Sequence, residues 1–222
     1  MGCTGTPILG SAYWQGSPTN TSKIISGYGC DGRYTANPSY AVAQKFAPSK
    51  SCISGIQFRG VHKGGDLRVE IRNNQSCSGS GYEQTVPLGY PGESKGLVAS
   101  TIIPAAWLSS NGIAQGDGTY VYTYMFNTPF AILDTTSYYH LVFSATSFST
   151  KITAGCTGAI FAFSICDVAS GPACGGTQMV HTSASSLIAT CDYWYDVGDV
   201  MWFGVLQQDY SCLPQCSGFT IS

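Results

Sequence analysis

Three aspartates beside a glycine turn come nearest, by type and spacing, to a metal site. Asp192, Asp196 and Asp199 lie within eight residues, in the segment DYWYDVGD. Calcium takes about six to eight oxygen ligands from carboxylates and carbonyls, so these residues could contribute to a structural Ca²⁺ site. The alternative is that these aspartates form part of a turn and bind no ion, because aspartate side chains hydrogen-bond to the backbone of turns. No other cofactor is predicted.

The same segment holds three adjacent aromatic residues, Tyr193, Trp194 and Tyr195. Side chains alternate along a strand, so the three cannot all face one core, and at least one is predicted to be exposed or covered by a neighbouring molecule. Flat aromatic faces stack on sugar rings or anchor protein interfaces. The triplet is therefore a candidate ligand-binding platform, and the tyrosines of residues 120–124 form a second one.

Ten cysteines are the strongest compositional feature. No CxxC pair occurs and the chain has only 3 histidines, which disfavours a zinc site and favours disulfides in an oxidising compartment or a hyperthermophile. Two pairs are close enough in sequence to bond locally, Cys166 with Cys174 and Cys212 with Cys216, and the remaining connectivity stays open. The predicted disulfide cysteines are Cys3, Cys30, Cys52, Cys77, Cys156, Cys166, Cys174, Cys191, Cys212 and Cys216.

Groups for catalysis do not form a pattern. There is no GxSxG motif and no patterned pair of carboxylates. Asp66 and Glu70 share the polar face of DLRVEIR, which predicts a solvated face, and His140 lies among core-like residues as a packed histidine. The chain is therefore predicted not to be an enzyme. Two sequons, at Asn20 and Asn74, are candidate N-glycosylation sites on surface loops.

The charge of the chain excludes two classes of partner. The net charge is -2, charged residues make up 10%, and the basic residues never form a run. Nucleic acid and anionic membranes both require a basic patch, so neither is a predicted partner. No stretch approaches the about 18 apolar residues of a membrane span. A surface this poor in charge suits secreted β proteins and closely packed assemblies.

Short strands separated by turn signals account for most of the chain. DLRVEIR alternates apolar and polar residues, and GTYVYTYMF places its tyrosines on one face. SYYHLVFSA and GAIFAFSIC are predicted to be more fully buried strands, and GDVMWFGVLQQ is the last long one. PAAWLSSNG is predicted to form a short helical turn. Gly-, Pro- and Ser-rich turns at this spacing indicate a sandwich or barrel.

The fold prediction is an all-β, jelly-roll-like antiparallel β-sandwich with disulfide-stapled N- and C-terminal extensions. Residues 1–39 are loop-like and form an arm that could exchange a strand with a neighbour or pack on its own sandwich. Residues 40–207 form the sandwich. Residues 208–222 form a C-terminal extension that contains a cysteine pair.

Five phrases in this order resemble one family of β-sandwich modules. They are AVAQKFAPSKSCISGIQF, DLRVEIR, GYPGESKGLVAS, YVYTYMFNTPFAILDTTSYYHLVFSA and GDVMWFGVLQQ. Together they resemble the choice-of-anchor or carbohydrate-binding-like jelly-roll modules of bacterial and phage surface proteins. The resemblance implies a jelly roll, a structural ion in some members and binding at a surface. The ten cysteines and both extensions depart from the family pattern.

Two functions remain open from the sequence. The first is a structural or adhesive protein, extracellular or on a cell or virion surface, whose partners are copies of itself in a filament, surface layer or virion appendage. The second is a carbohydrate-binding module that binds glycans through its exposed aromatics. The sequence favours the first, because no catalytic domain accompanies the module and a long arm precedes it.

Overall fold

The structure is a computed structural model that describes residues 2–10, 20–26, 41–79, 82–127, 130–146, 159–167, 179–182, 194–196 and 199–211. The strands of the first half are β1 (Gly2–Leu9), β2 (Asn20–Ser26), β3 (Ala41–Phe46), β4 (Cys52–His62), β5 (Leu67–Arg72), β6 (Asn74–Gly79), β7 (Tyr82–Pro87) and β8 (Leu97–Ile103). The helix α1 (Ala105–Asn111) follows, then β9 (Ile113–Ala114), β10 (Tyr120–Met125), β11 (Ala131–Ile132), β12 (Tyr139–Ala145), β13 (Ala159–Asp167), β14 (Met179–Thr182), β15 (Trp194–Asp196), β16 (Asp199–Met201) and β17 (Phe203–Ser211).

These strands form two antiparallel sheets that pack face to face. The first sheet has the order β1-β17-β4-β10-β9, with β11 and β13 also paired to β4, and with β2 and β16 paired to β13. The second sheet has the order β15-β14-β3-β12-β5-β8, and β6 and β7 form a separate hairpin. The predicted all-β antiparallel sandwich is therefore confirmed.

A group of aromatic rings lies within the core between the sheets. Phe58 on β4 lies near its centre, with Tyr122 stacked at 5.3 Å and Phe161 edge-on at 5.4 Å. Phe143 of the second sheet lies 5.4 Å from the same ring, so this contact joins the two layers. The alternating pattern of DLRVEIR is confirmed on this side, because its Leu, Val and Ile residues are all fully buried.

Strand β4 is the central strand of the first sheet. It pairs with β10 and β11 along one edge, and with β17 and β13 along the other. Gly60 allows the approach of β13, because a Cβ atom at this position would collide with the backbone of Ala162 and the ring of Phe161. Any larger residue at Gly60 would force the two strands apart.

The polar face of DLRVEIR is buried at Glu70 and Arg72, so the prediction of a solvated face is wrong for these two residues. Glu70 and Arg72 were expected on a solvated face, but they are 1% and 0% exposed. The β6–β7 hairpin, residues 88–96 and Trp194 lie over this outer face of the second sheet. A second apolar cluster is buried there, made of Ala41, Ala43, Val86, Val142 and Trp194. Alternation identifies the two faces of a strand but does not show that a later segment covers the polar one.

Both described strands of the N-terminal arm pack on the chain's own sandwich. β1 pairs with β17 and β2 pairs with β13, each antiparallel. A disulfide joins Cys3 on β1 to Cys52 on β4, with the Cα atoms 5.7 Å apart, so the predicted staple of the N-terminal extension is present. β17 continues to Ser211, past residue 207, where the predicted sandwich ends.

The predicted helical turn is confirmed as α1, which closes one side of the sandwich. Leu108 is buried in the core, and Trp107 lies edge-on to Tyr124 with ring centroids 4.9 Å apart. The helix is seven residues long. Within the described ranges no helix has the length and apolarity that a membrane crossing needs.

Candidate functional site

The structure places one member of the predicted aromatic platform in the interior. Trp194 is 4% exposed, and its indole Nε1 donates a hydrogen bond to the carbonyl of Gly89 at 3.1 Å. Its ring packs in the cluster that covers the outer face of the second sheet. Trp194 therefore offers no open face to a ligand. Tyr193 and the side chain of Tyr195 lie outside the described residues, so the platform prediction now depends on those two.

The predicted calcium ligands lie on two different sheets. Asp196 is on β15, opposite Val180, and Asp199 is on β16, opposite Asp167. Asp192 and the side chains of the other two lie outside the described residues. Among the side chains that the structure describes, no group of three or more His, Cys, Asp or Glu residues could hold a metal ion. The calcium site thus stays a prediction.

The structure shows three of the predicted disulfide cysteines to be bonded. Cys3 and Cys52 form the disulfide of the arm. Cys166 is also disulfide-bonded and is 2% exposed. Cys77 lies on β6, but its side chain is outside the described part. The predictions for the remaining cysteines also lie outside it: Cys30, Cys156, Cys174, Cys191, Cys212 and Cys216.

The side-chain amide of Asn74, the second sequon, is hydrogen-bonded through both its nitrogen and its oxygen. Its Nδ2 donates to the carbonyl of Tyr138 at 2.7 Å, and its Oδ1 lies 2.6 Å from Nδ1 of His140. Since Oδ1 only accepts, His140 carries its proton on Nδ1. The amide of Asn74 therefore anchors the start of the β6–β7 hairpin to β12. Asn20 lies on β2, and its side chain is outside the described residues.

His140 is the one histidine that the sequence analysis assigned to the core, and this is confirmed. It is 1% exposed, and burial, with a smaller contribution from the charge of Lys45, lowers its pKa to about 3. The ring is therefore neutral at physiological pH. A general base must titrate near the working pH and reach its substrate, and His140 does neither.

Ser109 and His62 form the nearest approach to a nucleophile and base in the described part of the chain. The Ser109 Oγ lies 3.3 Å from Nδ1 of His62. However, the hydroxyl donates its single proton to the carbonyl of Ala105 at 2.9 Å. Nε2 of His62 lies 3.1 Å from the carbonyl of Gly65, which only accepts, so a neutral ring carries its proton on Nε2. The proton of Ser109 that Nδ1 would have to take is held by the Ala105 carbonyl instead, which is not the arrangement of a nucleophile with its base.

A row of apolar side chains crosses the outer face of the first sheet. Leu9, Leu206, Gly55 and Met125 are successive cross-strand partners on β1, β17, β4 and β10. With strands about 4.8 Å apart, the row spans about 14 Å. A Cβ atom built on Gly55 would lie 2.9 Å from both the Leu206 Cδ1 and the Met125 Sδ, so these side chains lean over the glycine. We call these four residues the apolar row.

The two ends of the apolar row are open to solvent, whereas Leu206, between them, is 9% exposed. Met125 is 49% exposed and Leu9 is 40% exposed, while Ile132, on the neighbouring strand β11, is 47% exposed. On its other side the row borders a polar pair, in which Gln57 Nε2 donates to Thr123 Oγ1 at 3.0 Å. An apolar strip with a polar margin is the usual arrangement of a protein interface.

Arg59 and Asp117 form a charged pair farther along the same face. The guanidinium lies 2.6 Å from the carboxylate. Hydrogen bonds from the side chain and backbone of Thr119, together with the nearby Arg59, hold the pKa of Asp117 below its usual value. The pair fixes the β9–β10 turn, and its opposite charges leave this end of the face electrically balanced.

The apolar row could not be predicted from the sequence, because its members come from four strands. Met125 had been placed on the face opposite the tyrosines of β10, and its exposure confirms this. Leu9 and Leu206 lie in one row with Met125 because of the register between the strands, and a local sequence pattern contains no information on that register.

No protein-family model matches the chain, and neither a curated protein nor a solved structure is similar enough to match it.

Proposed function

We propose that this chain is a non-catalytic structural or adhesive subunit that assembles with copies of itself at an extracellular, cell or virion surface. The observation that carries the proposal is the apolar row. The chain's own segments cover the outer face of the second sheet from β3 to β5, whereas the outer face of the first sheet leaves Leu9, Met125 and Ile132 in solvent. Contiguous apolar surface of this kind favours association with another protein surface.

Composition and disulfides support the same proposal. A second copy would meet the apolar row without strong charge repulsion, because the net charge is only -2. The disulfides at Cys3 and Cys166 are compatible with an oxidising environment such as the cell exterior.

Association through the apolar row predicts that Met125→Lys weakens assembly. The lysine would place a charge in the middle of an apolar contact, at a position where the side chain is already half exposed in the monomer. We expect the wild-type protein to form multimers as its concentration rises, and we expect the variant to need at least about tenfold more protein to do so. Size-exclusion chromatography with light scattering measures both.

Ile113→Lys is the matched control, because Ile113 is 65% exposed on the same sheet but lies outside the row. It should assemble like the wild-type protein. A wild-type protein that stays monomeric at every concentration would contradict the proposed function. Equal effects of the two lysines would contradict the assignment to the apolar row.

A further inference from the structure

Strand β8 offers an edge with no partner strand in the described part of the chain. It ends the second sheet, where it pairs with β5 alone. It runs for seven residues, LVASTII, without a charge or a proline. The outer edge of such a strand carries unpaired N–H and C=O groups, which form a template for another strand.

The strands at the other three ends of the two main strand orders, β1, β9 and β15, are each protected. β1 contains Pro7 and a left-handed Gly5, with a φ of 82°, and its register shifts between Thr4 and Ile8. β9 has two residues and β15 has three. Prolines, bulges and short length are the devices by which natural sheets avoid edge pairing. β8 has no proline and runs for seven residues, and its register shift against β5 lies at its start, between Leu97 and Ala99, so that the strand is regular from Ala99 to Ile103.

The exposed side chains of β8 are arranged symmetrically. Val98 is 36% exposed and Ile102 is 47% exposed, and Ser100 lies midway between them on the same face. The inward residues of the strand alternate with these three. An antiparallel copy of the strand centred on Ser100 would therefore present the same pattern in reverse.

We propose that β8 pairs antiparallel with β8 of a second copy of this chain, about a two-fold axis at Ser100. In this register Ser100 faces its own counterpart, and Val98 faces Ile102 of the partner subunit. Two apolar cross-strand pairs result, and no charges oppose each other. The contact is isologous, so it closes after two copies. It rests on the proposed function, since both require self-association, but it uses a surface separate from the apolar row.

Cross-linking at the axis tests the register. Directly opposite residues of antiparallel strands have Cα atoms about 4.5 to 5.5 Å apart, which is within disulfide range. We expect Ser100→Cys to give a covalent dimer on a non-reducing gel after mild oxidation. Ser110→Cys, on the exposed face of α1, is the matched control and should remain a monomer on the gel. Equal cross-linking of the two variants would overturn the proposal.

Charge exchange tests the side-chain pairs. Val98→Lys should raise the dissociation constant of the dimer by at least about tenfold, because a lysine then opposes an apolar residue twice in each dimer. The double variant Val98→Lys/Ile102→Glu should recover the dimer, since each lysine then faces a glutamate of the partner. Circular dichroism verifies that each variant is folded. A double variant no better than Val98→Lys would overturn the pairing.

The outcomes separate this inference from the proposed function. Multimers that respond to Met125→Lys but not to Val98→Lys would retain the proposed function and reject the β8 pairing. Dimers that respond only to Val98→Lys would retain the pairing and reject the role of the apolar row. A wild-type protein that is monomeric throughout would reject both.

Discussion

Arg72 and Glu70 form an ion pair that is wholly removed from solvent, on the outer face of the second sheet. The side chains are 0% and 1% exposed. Arg72 also donates to the carbonyls of Leu88, Glu93 and Lys95, the first two at 3.0 and 2.9 Å. Glu70 accepts a further hydrogen bond from the backbone N–H of Gly92 at 2.7 Å. The pair therefore ties residues 88–96 to β5, and this offsets the cost of burying two charges.

Arg72→Met should be among the most damaging single substitutions in the described part of the chain. It would leave the Glu70 carboxylate buried without its ion-pair partner, and it would remove the donor to the carbonyls of Leu88, Glu93 and Lys95. Loss of one member of a buried pair costs about 3 to 5 kcal/mol in the free energy of unfolding. Urea denaturation measures the loss.

Arg68→Met is the matched control for this substitution. Arg68 lies on the same strand and face but is partly exposed, and it donates to the carbonyl of Thr146 at 2.9 Å. We expect it to cost about 1 kcal/mol or less. A similar loss for both variants would show that the buried pair has no special role.

His140 predicts a pH dependence of stability. Its pKa in the folded protein is about 3, below the 6.5 that is usual for a solvated histidine. Between these values the unfolded chain binds a proton that the folded chain does not, so stability is present above pH 6.5 and declines as the pH falls towards 3. The slope is about 1.4 kcal/mol per pH unit for one proton.

His140→Gln should remove this slope, because glutamine does not titrate. Urea denaturation at several pH values between 4 and 6.5 compares the two proteins. In that window the stability of the wild-type protein should fall more steeply than that of the variant. Parallel curves would show that His140 takes up its proton in the folded state.

At the scale of elements, the N-terminal strand is held by backbone pairing and by one covalent link. β1 lies at the edge of the first sheet, on β17, and its exposed Ile8 and Leu9 contribute little burial. The disulfide between Cys3 and Cys52 fixes its start to the central strand. The sequence separation of 49 residues makes this link a substantial restraint on the unfolded chain.

The double variant Cys3→Ser/Cys52→Ala should release β1. We expect a loss of about 2 to 4 kcal/mol in the free energy of unfolding. Hydrogen exchange should show reduced protection in β1, while β5 and β12 in the other sheet keep theirs near the global limit. Uniform protection in all three strands would indicate that backbone pairing alone holds β1.

The strands themselves could be predicted to a large extent. β5, β10, β12 and β13 lie where their apolar patterns predicted them, because period-two alternation reports directly on which side chains face a core. The pairing of β1 with β17 could not be predicted, because the two strands are more than 190 residues apart and the register between distant strands depends on tertiary packing.

At the scale of the whole molecule, the two outer faces of the sandwich differ. The second sheet is covered on its outer face, from β3 to β5, by the chain's own hairpin, by residues 88–96 and by Trp194, and its edge strand β8 stays exposed. The first sheet keeps the apolar row in solvent. If the apolar row joins copies and β8 pairs them two by two, the two contacts together extend an assembly beyond a dimer, as a filament or layer requires.

The sequence by itself determined the class of fold, most strands of the sandwich, their inward residues and the disulfide character of the chain, because these follow from local periodicity and residue type. Only the tertiary structure decided which outward faces are buried. Glu70, Arg72 and Trp194 are interior because segments distant in sequence fold over them. Met125 is exposed because no described segment folds over it. Coverage of a face depends on long-range packing, and local alternation does not contain it.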